Sequence, residues 1–248
     1  MKPSSPARRT VVTAPDAHAE PENTTAPDGA MAPTRRAKGR PRGPDLAAAA
    51  VLLNHARSAF ARLGFDAASA RAIAKTAGVD PALVAHYYGS KEALWLAVVD
   101  QLANQVSAMA SSLTLLRSRT DLDARTRVMH ALQLLVRESC QEPEWGMFFS
   151  RAATEQGERL EVLMQRLVRP YHDAFLPLLT DAIECGAIAR QDPEILYALL
   201  ANAVVMTISY RHVLKDFSTL SEEPELFEAA ILHSVLCMLG PDAGALPR

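Results

Sequence analysis

The cationic side chains of the sequence are concentrated between residues 35 and 91. This window carries a net charge of +7 and residues 92–248 sum to −8, whereas the whole chain has a net charge of only −2. A basic module joined to an acidic body is typical of a nucleic-acid binder with a separate regulatory domain, since clustered cations attract phosphates. Chance variation in surface charge is the alternative. The cations are Arg35, Arg36, Lys38, Arg40, Arg42, Arg57, Arg62, Arg71, Lys75 and Lys91.

The first part of this basic window lies in a proline-rich segment. Residues 1–44 hold half of the 16 prolines and show no apolar periodicity, which predicts a disordered arm. Its basic end, residues 35–43, has the core Gly39-Arg40-Pro41. Arg40 is therefore a candidate for the minor groove of A·T-rich DNA, which is narrow and negative. A solvated, solubilising tail is the alternative.

Two short helices are predicted in the second part of the basic window. Ser69 caps a helix over 70–77, the turn Gly78-Val79-Asp80 follows, and a second helix runs over 81–88 until Gly89 stops it. Small residues lie where the two helices must cross closely. This pattern indicates a helix-turn-helix, whose second helix enters the major groove of DNA. A glycine turn inside a plain helical bundle is the alternative.

The rest of the sequence predicts an all-α protein. A helix capped by Asp45 runs to about Leu63 and ends at Gly64, and Ser90 caps a helix after the helix-turn-helix. No strand pattern of period two occurs. We predict a three-helix DNA-binding domain over 45–98, a larger helical domain over 99–240 and a tail over 241–248. The later helices are expected near 122–140, 144–153, 157–185 (kinked by Pro170 and Pro177), 193–215 and 222–239.

Several function classes have no support in the sequence. It contains no P-loop, GxSxG, HExxH or dinucleotide fingerprint, so we expect no enzyme, and neither a cofactor nor a metal site. The three widely spaced cysteines are predicted to be buried thiols in a reducing compartment. Since no signal peptide is visible and the longest apolar run, 195–209, is short for a membrane span, a cytoplasmic location is expected.

Residues 46–98 resemble the DNA-binding domain of the TetR family of regulators. The upstream run 56–65 is similar to the first helix of that family. The most specific part lies further on, and consists of Ile73-Ala74, Ala77-Gly78-Val79, the capping Asp80, the ring pair Tyr87-Tyr88, Ser90-Lys91-Glu92 and Leu94. The remainder of the chain resembles the family only in length and helical pattern.

The resemblance implies roles for individual residues in binding double-stranded DNA. Phosphate contacts fall to Ser69, Arg71, Tyr87 and Lys91, whose hydroxyl and cationic groups suit phosphate oxygens. Tyr88 matches an aromatic residue of the domain core.

Base reading falls to the second helix of the motif. Ala85, often a tyrosine in the family, and Tyr87, often a histidine, depart from the pattern. Bidentate arginine readout is absent from this helix, so we expect methyl contacts to thymine, hydrogen bonds from His86 and Arg71, and reading of DNA shape. The base-reading residues are Pro81, Ala82, Ala85 and His86.

The resemblance also implies a homodimer, a near-palindromic operator and a small-molecule effector that releases a repressor. The dimer would form through 193–215 and 222–239, whose apolar faces are broad; a monomer that buries these faces internally is the alternative. A ligand-independent or activating regulator, or a helical interaction protein that binds no DNA, also remains open. Effector-pocket candidates, which core packing alone would also explain, are His130, Trp145, Phe148, Phe149, Met164, Tyr171, His172 and Tyr210.

Overall fold

A computed structural model describes residues 43–152 and 154–240, and these residues form helices without a strand. The expected all-α class is therefore confirmed. The disordered-arm prediction, Arg40 and the tail 241–248 lie outside the described residues. In chain order the helices are α1 (Gly43–Ala67), α2 (Ala70–Thr76), α3 (Ala82–Tyr87), α4 (Lys91–Arg117), α5 (Ala124–Gln141), α6 (Pro143–Ala152), α7 (Glu158–Leu163), a π turn (Met164–Val168), α8 (Arg169–Glu184), α9 (Pro193–Ser209), α10 (Arg211–Leu214), a 3-10 turn (Thr219–Glu222) and α11 (Pro224–Cys237).

The first helix differs from the prediction at both ends. It begins at Gly43 rather than after a cap at Asp45, and it continues to Ala67 past a break at Gly64. Gly64 adopts φ 79°, a left-handed conformation that glycine reaches without steric cost, so the chain breaks at the predicted residue. One further turn then brings Phe65 into the core.

Aromatic rings pack between the N-terminal helices. Phe60 stacks on Phe65 at 6.0 Å between centroids, and Phe65 meets the edge of Trp95 at 6.1 Å. Burial of each such side chain contributes roughly 1.5–3 kcal/mol. Tyr88 is half-buried, and its hydroxyl donates to the Ala49 carbonyl at 2.9 Å, in keeping with the core role implied for it.

Helix α4 crosses the expected domain boundary at residue 98. It is 27 residues long and starts under the cap of Ser90, whose hydroxyl accepts from Ala93 N at 3.0 Å. Its buried stripe continues beyond the N-terminal domain through Leu102, Val106, Met109 and Leu113. The N-terminal helices and the rest of the described chain therefore share one uninterrupted helix.

The predicted kinked helix over 157–185 forms as α7, a π turn and α8. Pro170 has no N–H to offer the carbonyl four residues earlier, and its ring crowds that carbonyl, so regular helix is disfavoured just before it. Helix α9 likewise ends at Ser209 instead of running to 215, and the short α10 follows Tyr210.

The prediction of buried cysteines is wrong for two of the three. Cys185 and Cys237 are exposed in the single chain, because each lies on the outer side at the end of its helix, and only Cys140 is partly buried. Burial raises the pKa of the Cys140 thiol to about 11. Within the described ranges there is no group of three or more His, Cys, Asp or Glu that could hold a metal, and no helix long and apolar enough to cross a membrane.

Candidate nucleic-acid interface

The turn between α2 and α3 is set by backbone and cap interactions. Gly78 adopts φ +68°, and the N–H of Val79 returns to the Ala74 carbonyl at 3.0 Å. The Asp80 carboxylate then accepts from Ala82 N at 2.7 Å, which satisfies a free N–H at the start of α3. These local bonds fix the direction in which α3 leaves α2.

Helix α3 has a buried side and an exposed side. Val84 is buried, and it anchors α3 on the same core as Ile73 and Ala74 of α2. The predicted base-reading residues are all exposed: Pro81 precedes the helix, and Ala82, Ala85 and His86 follow at three- and four-residue spacing on one face. This face therefore offers small apolar side chains and one imidazole.

The predicted phosphate contacts differ in their surroundings. Ser69 and Arg71 are exposed, and the Ser69 hydroxyl accepts from Ala72 N at 3.5 Å as the α2 cap. Tyr87 is half-buried, with its ring 5.1 Å from the edge of His86. Lys91 is half-buried, its Nζ donates to the Asp66 carbonyl at 3.2 Å, and it lies 4.4 Å from the centroid of Phe65.

Lys75 is a further cation on this surface that the sequence reasoning did not assign to the site. It is exposed on α2, one turn after Arg71, so the two cations share a stripe of the helix. Its spacing of four from Arg71 is the signal that would have identified it.

Two contacts join this domain to the body. Arg57 of α1 pairs with Glu142 and Glu144 at 3.1 Å each, and Ser58 donates to the second oxygen of Glu144. Arg159 of α7 lies 4.5 Å from the Phe65 ring, on which Lys91 also rests. The orientation of the helix-turn-helix is therefore tied to α6 and α7.

The body contains an aromatic core around Tyr171. Trp145 meets Tyr171 at 6.2 Å between centroids, and Tyr171 lies 5.8 Å from Phe175. Tyr171 is 1% exposed, and its hydroxyl has no hydrogen-bond partner among the described residues. Burial raises the pKa of Tyr171 well above its usual value. The side-chain oxygens of Gln101 and Gln105 on α4 are likewise buried and unpaired within the described structure.

The structure brings only some of the predicted pocket residues into this core. Trp145, Phe148 and Tyr171 are buried, Met164 is half-buried in the π turn, and the side chain of Phe149 lies outside the described part. His130 and Tyr210 are exposed, because their helices turn these residues away from the core.

His172 lies at the edge of the aromatic core, where α8 meets α9. Its ring nitrogens contact Asp173 and Glu194 at 2.8 Å each, and its ring meets the edge of Tyr197 at 4.9 Å. Phe175 and Tyr197, which touch each other at 5.9 Å, were missed in the sequence. Aromatic residues near Tyr171 at helical spacing were the available signal.

Known proteins resemble this chain in the sequence of its helix-turn-helix region. The sequence model of the bacterial regulatory proteins of the tetR family matches residues 52–98. The chain is 36% identical over 107 residues to the HTH-type transcriptional regulator BetI of Rhizobium meliloti. That match covers 39% of this chain and 48% of BetI, so the chain spans about half the length of that relative.

Solved structures share the fold over most of the chain. A bacterial regulatory protein in the tetR family from Rhodococcus RHA1 has a TM-score of 0.62 at 19% identity, and covers 78% of this chain and 97% of its own. The TetR family transcriptional regulator PfmR from Thermus thermophilus has a TM-score of 0.58 at 16% identity, with coverage of 79% and 96%. Residues 52–98 therefore match the sequence model of the tetR family, and the chain has the fold of these solved regulators.

Proposed function

We propose that this protein is a cytoplasmic transcriptional repressor that binds a near-palindromic operator in double-stranded DNA. The observation that carries the proposal is the exposed face of α3, where Ala82, Ala85 and His86 stand outside the core while Val84 anchors the helix. A short helix held in this way after a tight turn has the form of a recognition helix.

Phosphate contacts would position this helix in the major groove. Ser69, Arg71 and Tyr87 provide hydroxyls and a guanidinium, and we add Lys75 because it shares the exposed stripe of Arg71. Lys91 would add a further phosphate contact. On DNA its ammonium would donate to a charged phosphate oxygen instead of the neutral Asp66 carbonyl.

We infer that a homodimer forms through α9 and α11. Ten large hydrophobic side chains are exposed in the described structure, and seven of them lie between residues 195 and 226. Exposed apolar side chains on neighbouring elements favour a protein–protein surface. A groove of about 320 Å³ between α9 and α11 carries no charged lining residue, and Phe217, the sequence neighbour of the lining residue Ser218, is 82% exposed. A second copy of this surface would cover both the groove and the ring.

We infer that a small-molecule effector enters the aromatic core and releases the repressor. The unpaired Tyr171 hydroxyl supports this, because a buried polar group without a partner costs about 1–3 kcal/mol. An effector that offers a hydrogen bond to this hydroxyl, and an apolar surface to Trp145 and Phe175, would recover that cost.

Selection of genomic fragments by the purified protein, followed by footprinting at two salt concentrations, tests the proposal. We expect a protected near-palindrome with half-sites about one DNA turn apart and binding that weakens steeply with salt. Fragments that are retained without a protected site, or retention that ignores salt, would contradict it. Addition of cell extract fractions to the footprint then identifies the effector by loss of protection.

A further inference from the structure

A cleft of about 1180 Å³ lies where α1, the start of α6 and the junction of α9 with α10 come together. This volume is large enough for a small organic molecule. The cleft is distinct from the aromatic core, since neither Trp145 nor Tyr171 lines it. Its walls include Asn54 and Arg57 of the DNA-binding domain, so it lies at the junction between that domain and the body.

The acidic side chains on the α6 wall are already neutralised in part. Arg57 is only 16% exposed, and its guanidinium bridges Glu142 and Glu144 at 3.1 Å. Ser58 donates to the remaining oxygen of Glu144. These two carboxylates are therefore occupied by partners within the wall of the cleft.

The α10 wall has the opposite character. Arg211 donates to the Ser221 carbonyl at 2.6 Å and lies over the Phe227 ring, and it meets no carboxylate among the described residues. Lys215 is exposed and has no ion pair within the described part of the chain. Glu222 is the one acidic residue lining this side. An anion would find two cations here whose charge is not cancelled by a bound carboxylate.

We propose that this cleft binds a small amphipathic organic anion. Its acidic group would lie between Arg211 and Lys215, and its apolar part would contact Met147 and Ile208, which also line the cleft. Arginine suits this role because its guanidinium presents several donors to a carboxylate, sulfonate or phosphate in fixed geometry.

Occupancy of the cleft would reach the DNA-binding domain through Arg57. A Cβ at Gly146 would lie 2.9 Å from Cγ1 of Val205, so α6 crosses α9 closely and a displacement of one helix presses on the other. An anion between Arg211 and Lys215 brings negative charge into the cleft that Arg57 also lines, so it attracts the Arg57 guanidinium away from Glu142 and Glu144 and loosens the tie between α1 and α6. Binding therefore lowers DNA affinity; this coupling rests on the proposed function, whereas the binding site does not.

Calorimetric titration of the full chain with 1-anilinonaphthalene-8-sulfonate, an aromatic anion, tests the binding site. We expect one saturable site whose affinity falls at least about tenfold in Lys215→Glu, because a cation becomes an anion. Arg169→Glu makes the same charge change on α8 away from the cleft, and should change affinity less than about twofold. Equal affinity in Lys215→Glu and the unchanged protein would overturn the proposal.

A steric variant approaches the same cleft from α1. Asn54→Trp fills it and should abolish binding of the probe, whereas Val51→Trp, one turn earlier on α1 and outside the cleft, should not. Retained binding in Asn54→Trp, or equal loss in Val51→Trp, would place the probe elsewhere and overturn the proposal.

The coupling to DNA is measured with a fragment that the protein retains. A probe concentration that saturates the unchanged protein should weaken its DNA binding at least about threefold, and the same concentration should have a smaller effect in Lys215→Glu. If the protein binds no DNA and the probe still depends on Lys215, the proposed function fails and the cleft site stands. If DNA binding is normal and the probe ignores Lys215 and Asn54, the cleft proposal alone fails.

Discussion

Arg57 in α1 and Glu144 in α6 are 87 residues apart in the sequence and 3.1 Å apart in the structure, measured from Nε to Oε2. Arg57→Ala should lower the free energy of unfolding by about 1–3 kcal/mol, because it leaves two partly desolvated carboxylates without their cation. Thermal and urea unfolding measure this change. Arg119→Ala removes an exposed pair with Asp121 and should leave the melting temperature unchanged. If Arg57→Ala leaves the free energy of unfolding as unchanged as Arg119→Ala does, the contact between α1 and α6 contributes nothing to stability.

Tyr171→Phe and Tyr88→Phe make the same chemical change with opposite expected results. The Tyr171 hydroxyl is buried without a partner, so its removal should raise the free energy of unfolding of the effector-free protein by about 1 kcal/mol. The Tyr88 hydroxyl donates to the Ala49 carbonyl, so its removal should lower that free energy by about 1 kcal/mol. Urea unfolding of both variants gives the comparison. Destabilisation by Tyr171→Phe would mean that its hydroxyl is satisfied.

Arg71→Ala should weaken binding to all DNA sequences, because a phosphate contact carries no sequence information. The slope of log affinity against log salt should fall by about 0.9 for the lost contact. Fluorescence anisotropy with a protected fragment and with random DNA measures both effects. Arg169→Ala removes an exposed cation from α8 as the control. A loss confined to the operator, with an unchanged salt slope, would move Arg71 from phosphate contact to base reading.

Phe217→Ser should weaken the proposed dimer at least about tenfold, because this ring is 82% exposed and directly precedes Ser218, which lines the groove between α9 and α11. Sedimentation equilibrium measures the dissociation constant. Leu115→Ser is the matched control, since Leu115 is 69% exposed but lies on α4. An unchanged dimer in Phe217→Ser, or an equal effect of Leu115→Ser, would exclude Phe217 from the interface.

His172 predicts a dependence of stability on pH. Desolvation lowers its pKa, but the contacts with Glu194 and Asp173 outweigh this, and the net pKa is raised above the usual 6.5. A raised pKa in the folded state stabilises the protein fully below about 6.5, and the contribution is lost as pH rises through the raised value. His172→Gln should therefore cost more stability at about pH 6 than at about pH 8. Urea unfolding at both pH values checks this, and an equal cost at both would contradict it.

Elements whose limits depend on local interactions were predictable from the sequence. The limits of α2 and α3 follow from Ser69, Gly78 and Asp80, whose caps and turn act within three residues. The continuation of α4 beyond residue 98 was not predicted. The residues of its buried stripe are covered by α8, and that contact is not visible in the sequence.

The predicted pocket residues show which features of the body could not be derived from the sequence. Trp145 and Tyr171 are large apolar residues on buried helix faces, and their place in the core was predictable from type. His130 and Tyr210 were assigned to the same pocket but are exposed. A single sequence does not show which residues of a helix meet its neighbours. The pair of Arg57 with Glu144 joins elements that no local pattern connects.

The length of α4 determines how strongly a movement in the body would displace the two helix-turn-helix motifs of the proposed dimer. At about 1.5 Å per residue, its 27 residues form a rod of about 40 Å, and no glycine or proline interrupts it. A tilt of about 5° at the far end displaces the near end by about 3.5 Å, close to the rise of one base pair, about 3.4 Å. The helix-turn-helix directly precedes Lys91, so it moves with the near end of α4. In the proposed dimer, a small movement of the body would therefore change the distance between the two recognition helices so that it no longer matches the helical repeat of DNA.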